Sequence, residues 1–222
     1  ADFERDDEAD VMILTGAGRG FCSGGDIHGG LLGDDLDTVK EQIFWEARRL
    51  IVNIREVDKP ILAAVNGPAA GLGVTLALFC DIVVASEEAV FADTHVVAGY
   101  VAGDGGAAIW PLLIGANNAK EFLMTGDRLS AEEAREIGLI RHVVPAAELL
   151  IEAQRKAERL ANGPRMAIEG TKMTINRLLR QAVDTTLDYG LQKEKECMLV
   201  SEDCVEALTA FSEKRKPVFT GK

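Results

Sequence analysis

His95 and Asp104 stand nine residues apart in His95-Val-Val-Ala-Gly-Tyr-Val-Ala-Gly-Asp104, and together they suit proton transfer near neutral pH. Histidine titrates in that range, and a carboxylate that orients its ring makes it a better base. Nine residues that include Gly99 and Gly103 leave the chain free to fold Asp104 back toward His95. Two plainer roles fit the same residues. His95 suits a core position bonded to a backbone carbonyl, and Asp104 suits the N-cap of a helix beginning at Gly105. A second chemistry lies in two glycine-rich stretches, Gly16-Ala-Gly-Arg-Gly-Phe-Cys-Ser-Gly-Gly-Asp26 and Asn66-Gly-Pro-Ala-Ala-Gly-Leu-Gly-Val-Thr75. Turns of this kind aim bare N–H groups into a cleft. Two such donors converging on one carbonyl oxygen would stabilise negative charge developing there.

Other site chemistries fare worse. Gly16-Ala-Gly-Arg-Gly20 follows a strand-like run, but Phe21 stands where a dinucleotide fingerprint needs its third glycine. Cys22, Cys80, Cys197 and Cys204 form no CxxC pair and no zinc-ligand spacing, so no metal site is expected and buried free thiols fit best. His28 reads as an exposed loop residue and His142 as a structural one, while Tyr100 and Trp110 read as lining or packing residues around His95.

The elements that must hold these residues are legible in the apolar pattern. Residues 11–15, 61–65 and 81–85 are short apolar runs of the kind found in buried parallel strands. Between the first two, Val39, Ile43, Phe44, Ala47, Leu50, Ile51 and Ile54 repeat with helical spacing over 36–57. Strand, helix, strand, helix, strand implies right-handed crossovers in an α/β layer. Ser130-Ala-Glu-Glu133 is a capping box that opens a helix ending at Gly138, and 139–144 reads as a strand. Helix follows to about Phe211. The expected division is an α/β core over 1–145 and a helical region over 146–222. A net charge of −12 disfavours nucleic acid or an anionic membrane as partner, though a local basic cluster still suits a phosphate. No apolar run is long enough to span a bilayer, and a cytoplasmic location is the simplest expectation.

In their order and spacing, Phe21-Cys-Ser-Gly-Gly-Asp26, Lys59-Pro-Ile-Leu-Ala-Ala-Val-Asn-Gly67, Gly71-Leu-Gly73, Cys80-Asp-Ile82, Gly103-Asp-Gly-Gly106, Leu123-Met-Thr-Gly126 and Glu213-Lys-Arg-Lys-Pro217 resemble the crotonase superfamily, the enoyl-CoA hydratase/isomerase fold. The resemblance implies a spiral of ββα units with a helical C-terminal region used for trimerisation, as a trimer or a dimer of trimers. It implies an oxyanion hole at the backbone N–H groups of Gly25 and Leu72. Ser23, Gly24, Asp26, Gly71, Gly73 and Thr75 would line the substrate, and Lys214 would lie near the CoA phosphates. Coenzyme A enters as part of the substrate, with no permanently bound cofactor. Family members begin with a strand pair before the helix that Ala1–Glu8 resembles, so the first strands of the fold are expected to be missing from this chain.

The chain departs from the hydratase pattern at the two glutamates that add water to the double bond. Thr75 and His95 occupy those positions. A threonine hydroxyl cannot replace a carboxylate as a base at neutral pH, so ordinary hydratase activity is not expected. The His95 and Asp104 pair resembles that of the superfamily's carbon–carbon hydrolases, which cleave β-diketones by retro-Claisen reaction. Three functions therefore stay open: a lyase or isomerase of acyl-CoA thioesters, a β-diketone hydrolase, and a catalytically silent acyl-CoA-binding or assembly protein.

Overall fold

The computed structural model describes residues 2–25 and 36–222. A short helix α1 (Asp2–Arg5) precedes strand β1 (Met12–Thr15). Helix α2 (Leu36–Glu56) leads into β2 (Ile61–Val65), and β3 (Ala69–Ala70) runs directly into α3 (Leu72–Leu78). Strands β4 (Ile82–Ser86) and β5 (Val90–Ala92) follow, then α4 (Gly106–Ile114) and α5 (Ala116–Thr125). The chain continues through β6 (Leu129–Ser130), α6 (Ala131–Glu136) and β7 (His142–Val144) into three helices, α7 (Leu149–Ala161), α8 (Arg165–Val200) and α9 (Glu202–Ser212).

Two sheets result. β1, β2, β4 and β7 form a parallel sheet in that order, with Ile13 beside Leu62 and Ala63 beside Val83. β3, β5 and β6 form a smaller one, parallel between β3 and β5 and antiparallel between β5 and β6. Period-two alternation explains why β2 is wholly apolar: Ile61, Ala63 and Val65 join the main core, whereas Ala64 meets Leu149 and Ala153 of α7 on the opposite face. The sheet is therefore covered on both faces, as an all-parallel sheet requires.

The expected helix over 36–57 and the strands near 61–65 and 81–85 are present within a residue or two at each end. The capping box is present too: Ser130 accepts from the Glu133 N–H, and Glu133 accepts in return from the Ser130 N–H. The strand expected over 139–144 is shorter, His142–Val144 alone. The N–H groups of Leu139 and Ile140 turn back to the Ala134 carbonyl after the left-handed Gly138 and so never reach the sheet. Five of the C-terminal apolar residues divide between inside and outside. Leu149, Leu187 and Leu191 are core, while Ile175 and Leu178 are exposed.

Candidate functional site

Asn66 joins the two glycine turns. It follows β2, accepts from the Gly16 N–H at 3.0 Å and donates to the carbonyls of Gly18 at 3.0 Å and Gly20 at 3.3 Å. Cys22 then pairs with Ala69 in a parallel bridge, and Ala70 N–H donates to the Cys22 carbonyl at 2.9 Å. The approach is too tight for side chains. A Cβ on Gly24, which has φ +86°, would lie 2.8 Å from the Ala70 oxygen and 3.4 Å from the Leu72 nitrogen. The first turn thus ends against the first N–H groups of α3, which have no intrahelical acceptor. Ser23 and Gly25 are exposed beside them, and Gly73 packs on Cys22. Asp26 and His28 lie outside the described residues.

Strand β5 supplies the other wall. The Gly71 N–H donates to Ala92 O at 3.0 Å, which pins the second turn to the end of β5. Asp93, Thr94 and His95 come next, so the imidazole lands beside Gly71: a Cβ there would be 3.6 Å from His95 Cε1 and 4.0 Å from Nε2. A short 3-10 turn over Val96–Ala98 and the left-handed Gly99 then reverse the chain. That reversal returns Asp104 to His95, whose Nε2 lies 3.0 Å from Asp104 Oδ2. The Thr75 hydroxyl donates over a long 3.4 Å to Asp104 Oδ1. Asp104 caps nothing. Gly105, at φ +113°, is the N-cap residue of α4 and has no side chain to offer.

Asp93 joins the pair, with nothing in the sequence pattern to mark it. Its Oδ1 lies 2.6 Å from His95 Nδ1, so the ring is held at both nitrogens by carboxylates, Asp93–His95–Asp104. All three residues are buried. Burial by itself pulls the imidazole pKa down, but Asp104 and Asp93 outweigh it, and His95 titrates well above the usual histidine value. Both ring nitrogens are therefore donors at neutral pH. Neither ring nitrogen is unoccupied. Tyr100 stacks edge-on against the ring, centroids 5.3 Å apart, and burial pushes its phenol up to about 12. Trp110, a residue of α4, is wholly buried and packs on Phe122.

A third acid comes from α8. Glu194 is buried and in electrostatic reach of His95, Asp104 and Asp93, and burial pushes its carboxyl up to about 8. Its neighbours Lys193, Lys195 and Glu196 give it the look of a solvated helix face. The signal was in the helix phase, because Val183, Leu187, Gly190, Leu191, Glu194 and Met198 recur every three or four residues on the buried side.

Lys214 is exposed just beyond α9 at φ +56°, and its neighbour Arg215 is paired with Glu206 and Glu213 of the same region. Among the described residues no group of three or more His, Cys, Asp or Glu is placed to hold a metal ion. No described helix is long and apolar enough to cross a membrane. None of the four cysteines is in a disulfide, and burial pushes Cys80 up to about 12.

Comparison with known proteins gives these positions a context. The family model for enoyl-CoA hydratase/isomerase matches residues 1–222. The 1,2-epoxyphenylacetyl-CoA isomerase of Escherichia coli is 37% identical, over 99% of this chain and 84% of that protein. A crystal structure of an enoyl-CoA hydratase from Mycobacterium avium subsp. paratuberculosis superposes with a TM-score of 0.88 at 35% identity, over 98% of this chain and 83% of the other. A β-diketone hydrolase from the cyanobacterium Anabaena sp. PCC 7120, bound to (S)-3-oxocyclohexyl acetic acid, superposes with a TM-score of 0.81 at 33% identity, over 89% and 78%.

Proposed function

The chain belongs to the enoyl-CoA hydratase/isomerase family, and on that premise we propose that it acts on an acyl-CoA thioester, holding an enolate oxygen at the Gly25 and Leu72 N–H groups. The Asp93–His95–Asp104 unit beside Gly71 carries this reading, because it places one proton-transfer group against the turn that would bind the oxyanion. In the forward step the Cα–H electron pair moves toward the carbonyl and its charge settles on the thioester oxygen. The proton passes to Asp104 Oδ1, the carboxylate oxygen that bears only the long bond from Thr75. His95 stays cationic and balances the added charge. Returning the proton to another carbon completes an isomerisation. Ser23, Gly24, Gly73 and Thr75 line the same path, coenzyme A enters with the substrate, and Lys214 meets its phosphates.

Retro-Claisen hydrolysis is the second reading, favoured by the 3.0 Å bond between His95 and Asp104 and by the likeness to a β-diketone hydrolase. Water adds to one carbonyl of a 1,3-diketone and gives its proton to the unit. The carbon–carbon bond then breaks, its electron pair becomes an enolate at the N–H donors, and the unit protonates that carbon. A ketone and a carboxylic acid leave.

One set of assays separates these readings: α-proton exchange of butyryl-CoA in D₂O, hydration of crotonyl-CoA, and ring opening of a cyclic β-diketone. The first reading expects exchange, with hydration slower than an ordinary hydratase by about 10²–10⁴-fold for want of the glutamate pair. Ring opening without exchange selects the hydrolase. Thioester binding with no turnover of any probe leaves the catalytically silent protein. The exposed Ile151, Ile175, Leu178 and Val200 of the C-terminal helices favour assembly as a trimer or dimer of trimers. A stable monomer in light scattering at micromolar concentration would exclude that assembly.

A further inference from the structure

The long helix α8 reaches the site from behind. Gly190 and Gly103 meet backbone to backbone: a Cβ on Gly103 would lie 2.4 Å from the Gly190 carbonyl oxygen and 2.7 Å from Glu194 Oε2. No other residue type allows this approach. Glu194, one turn beyond Gly190, is thereby seated on the Gly103–Asp104 turn, with the Gly103 N–H among the groups that face it. Glu194 is 5% exposed, and its Oε2 has no hydrogen-bond partner. The side chains around it are Asp93 and His95 from the end of β5, Tyr100 from the reversal and Asp104, with the Cys204 thiol of α9 beside Tyr100. His95 is the one cation in this group, and two carboxylates already hold it through both nitrogens. An ionised Glu194 would be a third negative charge with no donor for Oε2, in a place where water cannot screen it.

We propose that Glu194 is a positioning residue that works as a neutral carboxylic acid, bracing the Gly103–Asp104 turn from α8 and keeping the buried group at two carboxylates against one imidazolium. It takes no proton from substrate. Its role is to hold Asp104 where His95 and Thr75 meet it. This inference rests on the reading that the Asp93–His95–Asp104 unit transfers the proton. The raised carboxyl of Glu194 agrees with it and sets its limit: above about pH 8 the third charge develops and the brace fails.

Glu194→Gln keeps the shape and the neutral hydrogen-bonding capacity, so it is the informative variant, and Glu194→Met removes the polar group altogether. The first readout needs no substrate. The infrared difference spectrum of wild type minus Glu194→Gln at pH 6 is expected to contain a protonated-carboxyl band that disappears with a midpoint near pH 8. An ionised-carboxylate difference at pH 6 would overturn the proposal. The second readout is turnover of whichever probe, butyryl-CoA or cyclic diketone, the wild type accepts. Glu194→Gln should retain kcat within about threefold at pH 7 and lose the decline above pH 8, whereas Glu194→Met should lose about tenfold or more at every pH. A hundredfold loss in folded Glu194→Gln at pH 7 would mean that Glu194 acts ionised, and the proposal would fall. If the wild type turns over neither probe, the functional reading fails, while the infrared result still decides the charge of Glu194.

Discussion

Lys172 and Glu194 are both buried on α8, about 33 Å apart along its axis, yet the two ends of the helix complete their polar groups in opposite ways. At the first end, Lys172 Nζ donates to Asp81 at 2.8 Å and to the Lys59 carbonyl at 2.8 Å. Asp81 also accepts from the Ile61 N–H, and Asn176 donates to the Arg55 carbonyl. Lys59 in turn donates to the carbonyls of Phe3 and Asp6. Lys172, Asp81 and Asn176 bind the start of a strand or the end of α2, and Lys59 ties down the chain around α1. No buried polar atom of these four side chains lacks a partner, although the nearby Arg55 Nε does. At the other end, Asp93 Oδ2 and Glu194 Oε2 are buried without partners, around an imidazolium shared by two carboxylates. A fully satisfied polar cluster serves the fold, because leaving any member unpaired costs stability. A cluster that tolerates unpaired acids is held by the surrounding structure for another purpose. The first cluster sits at the N-terminal ends of the parallel strands and the second beyond the other end, beside both glycine turns.

The contrast is broken most sharply by removing the ring. His95→Ala should lower turnover about 10²–10⁴-fold, because Asp104, the positioned acid–base group, loses the imidazolium that holds it and balances its charge, while the far-ultraviolet circular dichroism stays unchanged. Activity within a factor of a few of wild type would return His95 to a purely structural role. Asp93→Asn should cost less. It removes one charged hydrogen bond worth roughly 1.5–3 kcal/mol, which corresponds to about tenfold to hundredfold in kcat, and KM should stay nearly constant because the residue lies behind the ring.

Lys172→Met tests the other end. Asp81 and the Lys59 carbonyl lose their donor, so urea unfolding should show a loss of about 1–3 kcal/mol, with kcat per folded molecule unaltered. A variant that unfolded no more easily but turned over slowly would reverse the assignment of the two ends. The smallest effect expected is in pH dependence. The folded-state pKa of His95 is raised, so its contribution to stability is complete below 6.5, the ordinary value, and is lost as pH climbs through the raised one. Thermal unfolding of wild type against His95→Gln should show the wild-type advantage largest in acid and shrinking with rising pH. An advantage that grew toward alkaline pH would contradict the imidazolium between Asp93 and Asp104.

Much of this was legible in the residues, and the reason is locality. The apolar run Ile61–Val65, the helical repeat from Phe44 to Ile54 and the box Ser130–Glu133 are each decided within one or two turns of chain. The glycine turns were legible for the same reason, since a short loop at φ +86° or φ +53° leaves few alternatives to glycine. Asp93 was missed although it stands two residues from His95, because an acid at the end of a strand is no different from any turn aspartate until the ring's orientation is known. Strand β7 was read too long, because Leu139 and Ile140 are apolar enough for a strand and only the return to Ala134 shows that they close a helix.

By its own spacing the sequence determined the parallel α/β layer, the two glycine turns, a threonine and a histidine in place of glutamates at 75 and 95, and an acid nine residues beyond His95, which the fold pairs with it. Tertiary structure alone decided the charge of that pair and the company it keeps. Whether a buried histidine is neutral or cationic depends on which carboxylates reach its two nitrogens, and whether a glutamate 99 positions downstream is solvated or protonated depends on which face of α8 meets the Gly103 turn. Both are sums of desolvation and Coulomb terms over a few ångströms, and distances of that kind do not exist until the chain has folded.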